Sequence, residues 1–228
     1  MAKDSAVKAQ RQAANQLRAI LVTADPTLRE KLATLPSRAL VRACLELSEG
    51  DDDTDPVARA TRFPLRMLAE RIEQLRAQAQ VLERRLSDLM RCHHPRLVDA
   101  VGIGPHSAAV LLTVMGDNGD RLRGEASFAA LCGASPVEYS SGNKQHCRLN
   151  RGGNRQANAA LHRIVLIRLR WDARTRAYYE RRVLEGKTRR EVIRCLKRYV
   201  AREAYRLVQE DRRSLSRTPA EVPDEDQA

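Results

Sequence analysis

Apolar residues recur every three or four positions along the N-terminal part of the chain, which is the spacing of amphipathic helices. The pattern predicts a helix over 5–22 that contains neither glycine nor proline and that Asp25-Pro26 ends. One or two short helices are predicted over 27–48, with a break near Pro36. The N-terminal part is therefore expected to be helical throughout.

A long helix is predicted over 57–91, after an acidic loop at 49–56. The acidic loop lacks the spacing of a calcium-binding loop, which favours a solvated linker. The apolar residues of the helix form an unbroken a/d heptad seam of Leu65, Leu68, Ile72, Leu75, Ala79, Leu82, Leu86 and Leu89. This pattern is typical of a coiled coil, formed either with a partner chain or with another helix of the same chain.

The pattern changes after residue 95, where we predict a domain boundary. Dense apolar residues over 97–114 are punctuated by Gly102 and Gly104, which predicts a helix, a tight Gly-x-Gly turn and a second helix. This arrangement resembles the helix-hairpin-helix of DNA-handling proteins. Without side chains, the two glycines would let backbone N–H groups approach a phosphate at the N-terminus of the second helix. The alternative is a structural turn between two core helices.

A further helix is predicted over 155–171, with Asn154 as a suitable N-cap. Its apolar face carries Leu161, Ile164, Val165 and Leu169, and Arg163, Arg168 and Arg170 are expected to lie off that stripe. We expect the apolar face, and much of Trp171, to pack in the core. The basic outer face is then available to contact phosphates.

The composition supports a helical protein, because 43% of the residues are hydrophobic but only 4% are aromatic. The predicted fold class is mainly α. A helical, coiled-coil region is predicted over 1–95, a compact helical domain with the helix-hairpin-helix over 96–212, and a disordered polar tail over 213–228.

Positive charge is concentrated in one segment, 141–206, which contains 19 lysines and arginines and five acidic residues, within a chain whose net charge is +12. A globular protein this basic usually binds a polyanion, and a localised patch is typical of nucleic-acid binding. An anionic membrane, an acidic protein and a merely solvated basic surface are the alternatives.

The five cysteines include no CxxC pair, so a disulfide framework is not predicted and a reducing cytoplasm is the simpler interpretation. Cys92-His93-His94 and His146-Cys147 lack the spacing of a structural zinc site, so no metal site is predicted in this chain. Neither a signal peptide nor a membrane-spanning apolar stretch is recognisable. We expect a cytoplasmic protein without a membrane partner.

A segment rich in loop formers, 133–144, precedes the basic segment and contains Ser140 and Ser141. A serine hydroxyl becomes a useful nucleophile only when its proton is accepted or the developing charge is stabilised. Lysine and arginine side chains could stabilise the transition state of a phosphate reaction. From the residues alone, Ser141 is more often simply a turn residue.

Several motifs in this half of the chain occur together in one family. They are Val101-Gly102-Ile103-Gly104, Ser140-Ser141-Gly142, Arg151-Gly152-Gly153-Asn154, Ala177-Tyr178-Tyr179 and Gly186-Lys187. In this order they resemble the IS110/IS116/IS902-type insertion-sequence transposases, over roughly 96–208. The segment 5–90 is also similar to the helical, coiled-coil middle region of that family.

The resemblance implies DNA transposition through a serine nucleophile. Members carry a RuvC-like domain with an Asp-Glu-Asp-Asp metal site and a C-terminal serine domain, which form a composite active site across subunits. A structured RNA encoded by the element guides target choice. By motif position Ser141 is the implied nucleophile and Ser140 the fallback. The residues implied to bind nucleic acid are Gly102, Gly104, Lys144, Arg148, Arg151 and Arg155.

The sequence departs from the family in one large respect, since nothing in it resembles the strand that bears the first aspartate of the metal site. The resemblance therefore implies that Mg²⁺ acts only with an N-terminal domain that is missing here, and that the chain alone is inactive. Expected partners are DNA, a guide RNA, and a second copy or a full-length transposase joined through the coiled coil. The alternatives are a non-catalytic regulator of a full-length transposase and a structural coiled-coil adaptor.

Overall fold

The computed structural model describes residues 2–47, 56–116, 122–138, 147–148, 150 and 152–217. The fold is mainly α, as predicted. Its helices are α1 Ala2–Val22, α2 Pro26–Ala33, α3 Ser37–Leu45, α4 Pro56–His93, α5 Pro95–Asp99, α6 Pro105–Met115, α7 Glu125–Leu131, α8 Arg155–Trp171, α9 Ala173–Leu184 and α10 Arg189–Arg217. Two short strands, β1 Val137–Glu138 and β2 Cys147–Arg148, lie between α7 and α8.

The chain forms two compact units, Met1–Arg85 and Leu86–Ala228, and the division falls inside α4. Residues 49–55 of the predicted acidic loop and residues 218–228 of the predicted tail lie outside the described residues, whereas Pro56 is the first residue of α4. α10 continues to Arg217, into the segment predicted as a tail. No helix among the described residues is long and apolar enough to span a membrane.

In the first unit, local signals set the ends of the short helices. Asp25 caps α2 by accepting hydrogen bonds from the backbone N–H groups of Thr27 and Leu28 at 2.9 and 3.3 Å, and Pro26 occupies the first helical position. Thr34 ends α2, and α3 begins at Ser37, directly after Pro36. The predicted break near Pro36 is confirmed.

The beginning of the heptad seam on α4 packs within the first unit. Leu65 and Ile72 are buried together with Leu17 of α1 and Leu40 of α3, and Leu68 packs partly against this cluster. Lys3 forms an ion pair with Glu83. The far end of the seam is open, because Leu89 is 54% exposed. A coiled coil with a partner chain stays a prediction.

The core of the second unit is a single cluster of buried residues to which α10 contributes one side. Leu111 of α6, Phe128 of α7, and Ile164 and Val165 of α8 are fully buried with Val208 of α10. α8 occupies the range that the sequence predicted, and Asn154 accepts hydrogen bonds from the N–H groups of residues 156 and 157 as its N-cap. Helix ends and apolar faces here follow the sequence pattern.

Three predictions for the second unit were wrong in detail. The prediction of a loop over 133–144 is wrong at Val137 and Glu138, which pair with Arg148 and Cys147 in an antiparallel hairpin. Trp171 was expected to be largely in the core and is 69% exposed, because it is the last residue of α8. Arg168 was expected to lie off the apolar stripe and is only 9% exposed.

Candidate nucleic-acid interface

The two ends of the β1–β2 hairpin are joined by a contact between two glycines. Gly133 follows α7 with a φ of +65°, a conformation that favours glycine. A Cβ added at Gly153 would overlap the backbone of Gly133 and of Cys132. The backbone before β1 and the backbone after β2 therefore touch directly, which is possible only without side chains at this point.

Hydrogen bonds hold the same junction from both sides. The Asn154 N–H donates to the Leu131 carbonyl at 2.7 Å, and the Asn150 side-chain amide donates to the Ala130 carbonyl at 3.2 Å. The Asn158 amide of α8 donates to the Cys132 and Gly133 carbonyls at 2.9 and 3.1 Å. These bonds satisfy carbonyls that the end of α7 leaves without helical partners. The base of the hairpin is therefore fixed to α8.

A buried lysine of α10 completes this network. Lys197 is 7% exposed and its Nζ donates to Asn158 Oδ1 at 2.8 Å, which orients the amide toward the Gly133 turn. Burial lowers the pKa of Lys197, and the positive charge of Arg194 lowers it further. Lys197 forms no ion pair with a carboxylate of the described residues. Positive charge is thus packed against the base of the hairpin without local compensation.

A cleft of about 240 Å³ opens beside this junction. We call it the cationic cleft, and it is lined by Gly133, Ala134, Ser135, Pro136, Asn150, Lys187, Glu191, Arg194, Cys195 and Arg198. Its rim includes the residues immediately before β1, and Asn150 after β2. Three cations and one carboxylate line it, so the cleft has excess positive charge.

The carboxylate of the cationic cleft already has a structural role. Glu191 Oε2 accepts hydrogen bonds from the backbone N–H and the hydroxyl of Thr188 at 2.8 and 2.7 Å. This is the capping box that begins α10. The hydroxyl bond from Thr188 is the main reason that the pKa of Glu191 is lowered, and Lys187 and Arg194 contribute by their charge.

Some other cations of the basic segment are paired with carboxylates. Arg202 and Arg206 contact Glu125 at 2.9 and 3.3 Å, and Arg181 and Arg182 contact Glu185. Lys187, Arg194 and Arg198, in contrast, form no ion pair with any described carboxylate. Unpaired cations are not confined to the cleft, since the exposed Arg189 and Arg190 form no ion pair with a described carboxylate either. Lys187, Arg194 and Arg198 differ from them in lining one cleft.

The predicted Gly-x-Gly turn lies between α5 and α6, and Gly102 has a φ of +80°. A Cβ at Gly102 would lie 3.2 Å from the Ile164 carbonyl oxygen and 3.2 Å from Arg168 Cγ. Its missing side chain thus allows the turn to pack against α8. A Cβ at Gly104 would meet nothing within 4 Å. Phosphate contact by either glycine stays a prediction.

Arg168 fastens this turn to the core. Its Nε donates to the Val101 carbonyl at 2.7 Å, and its two terminal nitrogens donate to Glu203 of α10 at 2.6 and 3.1 Å. Arg168 lies at helical spacing from Leu161, Ile164 and Val165, so the spacing alone places it on the buried face of α8. Its charge is the reason that the sequence analysis assigned it to the outer face.

The structure describes only some of the predicted site residues. Ser140, Ser141, Lys144 and Arg151 lie outside the described residues, and so does the side chain of Arg148 in β2. Arg155 is exposed at the first position of α8. Sequence reasoning missed Arg194 and Arg198 as site residues, because no helix was predicted for 189–217; their i, i+4 spacing on α10 places them on one face.

Over the part of the chain that the structure describes, no group of three or more histidine, cysteine, aspartate or glutamate residues is placed to hold a metal ion. We therefore derive no step through a divalent ion from these residues.

Acid should destabilise the second unit through its caps. Asp172 caps α9 and accepts a 2.5 Å bond from the Thr175 hydroxyl, which is the main reason that its pKa is lowered, as that of Glu191 is. A folded pKa below the unfolded one gives stability that is complete above the unfolded value and is lost as pH falls through the folded value. We expect the urea midpoint to fall below about pH 4. In Asp172→Asn, which keeps an oxygen acceptor, this loss should be smaller, and an identical pH profile would contradict the assignment.

Part of the chain is similar to known transposase sequences. Residues 95–180 match the family model described as Transposase IS116/IS110/IS902 family. The insertion element IS110 uncharacterized 43.6 kDa protein of Streptomyces coelicolor (strain ATCC BAA-471 / A3(2) / M145) is 31% identical over 158 residues. The alignment covers 68% of this chain and 39% of that relative, so the chain spans well under half of the relative's length.

Proposed function

Because residues 95–180 are a domain of the IS116/IS110/IS902 transposase family, we propose that this chain binds DNA and supplies a serine nucleophile for DNA transposition. The observation that carries the proposal is the family match over the segment that holds the hairpin and its basic surroundings. The charge supports it, since 19 lysines and arginines lie between 141 and 206. DNA binding should therefore weaken steeply as the salt concentration rises.

Ser141 is the proposed nucleophile, with Ser140 as the fallback. Its Oγ would form a bond to phosphorus while the bond from phosphorus to a deoxyribose oxygen breaks. The serine proton is released, and the leaving oxygen takes up a proton. The phosphodiester count is conserved, so the covalent intermediate can be resealed without an external energy source.

Support for this role comes from the junction at the base of the hairpin. The Gly133–Gly153 contact and the bonds from Asn158 fix both ends of the hairpin to α8. A nucleophile on a loop is effective when rigid elements position it. We propose that Mg²⁺ is held by carboxylates of a full-length transposase that assembles with this chain, and that a guide RNA and contacts along α4 take part in that assembly.

The test uses the purified chain, DNA carrying the ends of its insertion element, and a full-length family transposase whose own nucleophilic serine is alanine. Only this chain can then attack. We expect a covalent protein–DNA adduct on this chain that Ser141→Ala abolishes, with DNA affinity unchanged, because the hydroxyl serves in the bond-forming step.

Ser140→Ala is the control, and it should form the adduct at the unaltered rate. An adduct that survives in Ser141→Ala but not in Ser140→Ala would move the nucleophile to Ser140. Binding of DNA without any adduct would contradict the catalytic role and support the alternative, a non-catalytic partner of the full-length transposase.

A further inference from the structure

We propose that the cationic cleft binds one phosphodiester group of a DNA strand, an inference that rests on the proposed function. The site consists of Lys187, Arg194 and Arg198, with Asn150 at the rim. The chemistry recognised is a singly charged phosphate linkage held by a lysine and two guanidinium groups. This is the combination that proteins use for phosphate contacts.

The first observation is excess positive charge, since three cations and one carboxylate are among the described lining residues of the cleft. None of the three cations pairs with a described carboxylate, whereas Arg202 and Arg206 nearby share Glu125. Glu191, the carboxylate among the described lining residues, uses one oxygen for the capping box of α10. Like charges that line one cleft repel each other, and a bound anion would relieve that repulsion.

The second observation is an unsatisfied donor. Arg198 Nε is buried and has no hydrogen-bond partner among the described residues, and its guanidinium carbon lies 5.8 Å from the Tyr199 ring centroid. Buried polar groups without partners are rare, because they have lost water without gaining a bond. An anion in the cleft would supply acceptors for a guanidinium that is already partly desolvated.

The third observation is the position and size of the cleft. Ser135 and Pro136 line it directly before β1, and Asn150 lines it just after β2. Its volume of about 240 Å³ is below the roughly 300–1,000 Å³ of pockets that enclose a drug-sized ligand, which suits one backbone unit of a strand. A phosphate bound here would lie at the base of the hairpin whose sequence carries the two serines.

Cys195 gives a direct readout, because it lines the cleft and is partly accessible. Cys92 is exposed elsewhere in the same unit and serves as the internal control. The rate of alkylation by N-ethylmaleimide would be measured for each thiol by peptide mass spectrometry. A single-stranded DNA oligonucleotide at ten times its Kd should slow the reaction at Cys195 about ten-fold and leave Cys92 unchanged.

Two double variants of α10 distinguish the effect of the cleft cations from the effect of the overall positive charge. Arg194→Gln with Arg198→Gln removes two cleft charges, and Arg189→Gln with Arg190→Gln removes two exposed charges from the first turn of the same helix. The cleft variant should lose the protection of Cys195 at DNA concentrations that saturate the control variant. Protection is compared with and without DNA within each variant, so altered thiol reactivity cancels. If the cleft variant fails to fold, Lys187→Gln should reduce protection in its place.

The outcomes are distinct. DNA binding with Cys195 unprotected, or equal protection in the two double variants, would overturn the cleft assignment and leave the proposed function standing. Absence of DNA binding by the unaltered chain would overturn the proposed function itself. Protection by inorganic phosphate or by RNA of the same sequence, but not by DNA, would overturn the assignment to a DNA strand.

Discussion

Gly153→Ala should lower the free energy of unfolding of the second unit by about 3 kcal/mol, the upper range for overpacking a tight site. The added methyl group would overlap the backbone of Gly133 and Cys132, and neither is a flexible side chain that could move aside. Gly133 is itself constrained, since its φ of +65° and the bonds from Asn158 fix it. The strain must therefore be relieved by separating the two ends of the hairpin.

Gly152→Ala is the control, because it differs by one position and adds the same methyl group. A Cβ at Gly152 meets only Asn150 Oδ1, at 3.5 Å, which is ordinary van der Waals contact. Urea unfolding followed by circular dichroism would compare the two variants. Equal stability would show that the two glycine backbones do not touch in solution.

The same pair of variants reports on function. If the glycine contact positions the hairpin, Gly153→Ala should also reduce adduct formation under conditions where the protein remains folded, while Gly152→Ala should not. A loss of adduct without loss of DNA binding is the expected result, because Lys187, Arg194 and Arg198 belong to or adjoin α10 and not the hairpin.

Arg168→Met should destabilise the second unit by about 2–3 kcal/mol, somewhat less than the 3–5 kcal/mol typical of breaking a fully buried ion pair. The change removes the bidentate contact to Glu203 and the bond to the Val101 carbonyl. The expected loss of stability is smaller because the side chain of Glu203 is 34% exposed, so its carboxylate can be hydrated when Arg168 is replaced. Thermal unfolding measures the effect.

Arg170→Met is the comparison for Arg168→Met. Arg170 lies on the same helix but is exposed, with its guanidinium 5.1 Å from the Trp171 ring centroid. Its loss should cost less than about 1 kcal/mol. Similar costs at both positions would mean that burial of Arg168 contributes nothing. Amide hydrogen exchange should become faster at the Gly102 turn in Arg168→Met, because Arg168 donates a hydrogen bond to the Val101 carbonyl there.

Much of the fold follows from the sequence itself. The bounds of α8, the break near Pro36 and the N-cap at Asn154 were predicted from the sequence and are confirmed. Helices are predictable in this way because their hydrogen bonds join residues four apart, so a local pattern of apolar positions and caps is sufficient. The family resemblance and the excess positive charge were also predicted from the sequence, because motif order and composition do not depend on packing.

The site depended on the tertiary structure. Gly133 and Gly153 are in contact because the packing of α7 and α8 brings two distant segments together. No local sequence pattern predicts which glycines form such a contact. Arg168 was misjudged because its charge suggested the surface, whereas Glu203 and the Val101 carbonyl offered partners that lie far away in sequence. Among many cations, packing decided that Lys187, Arg194 and Arg198 line one cleft beside the Gly133 turn. Composition fixes how many charges a chain has, but only packing determines which of them a ligand can use.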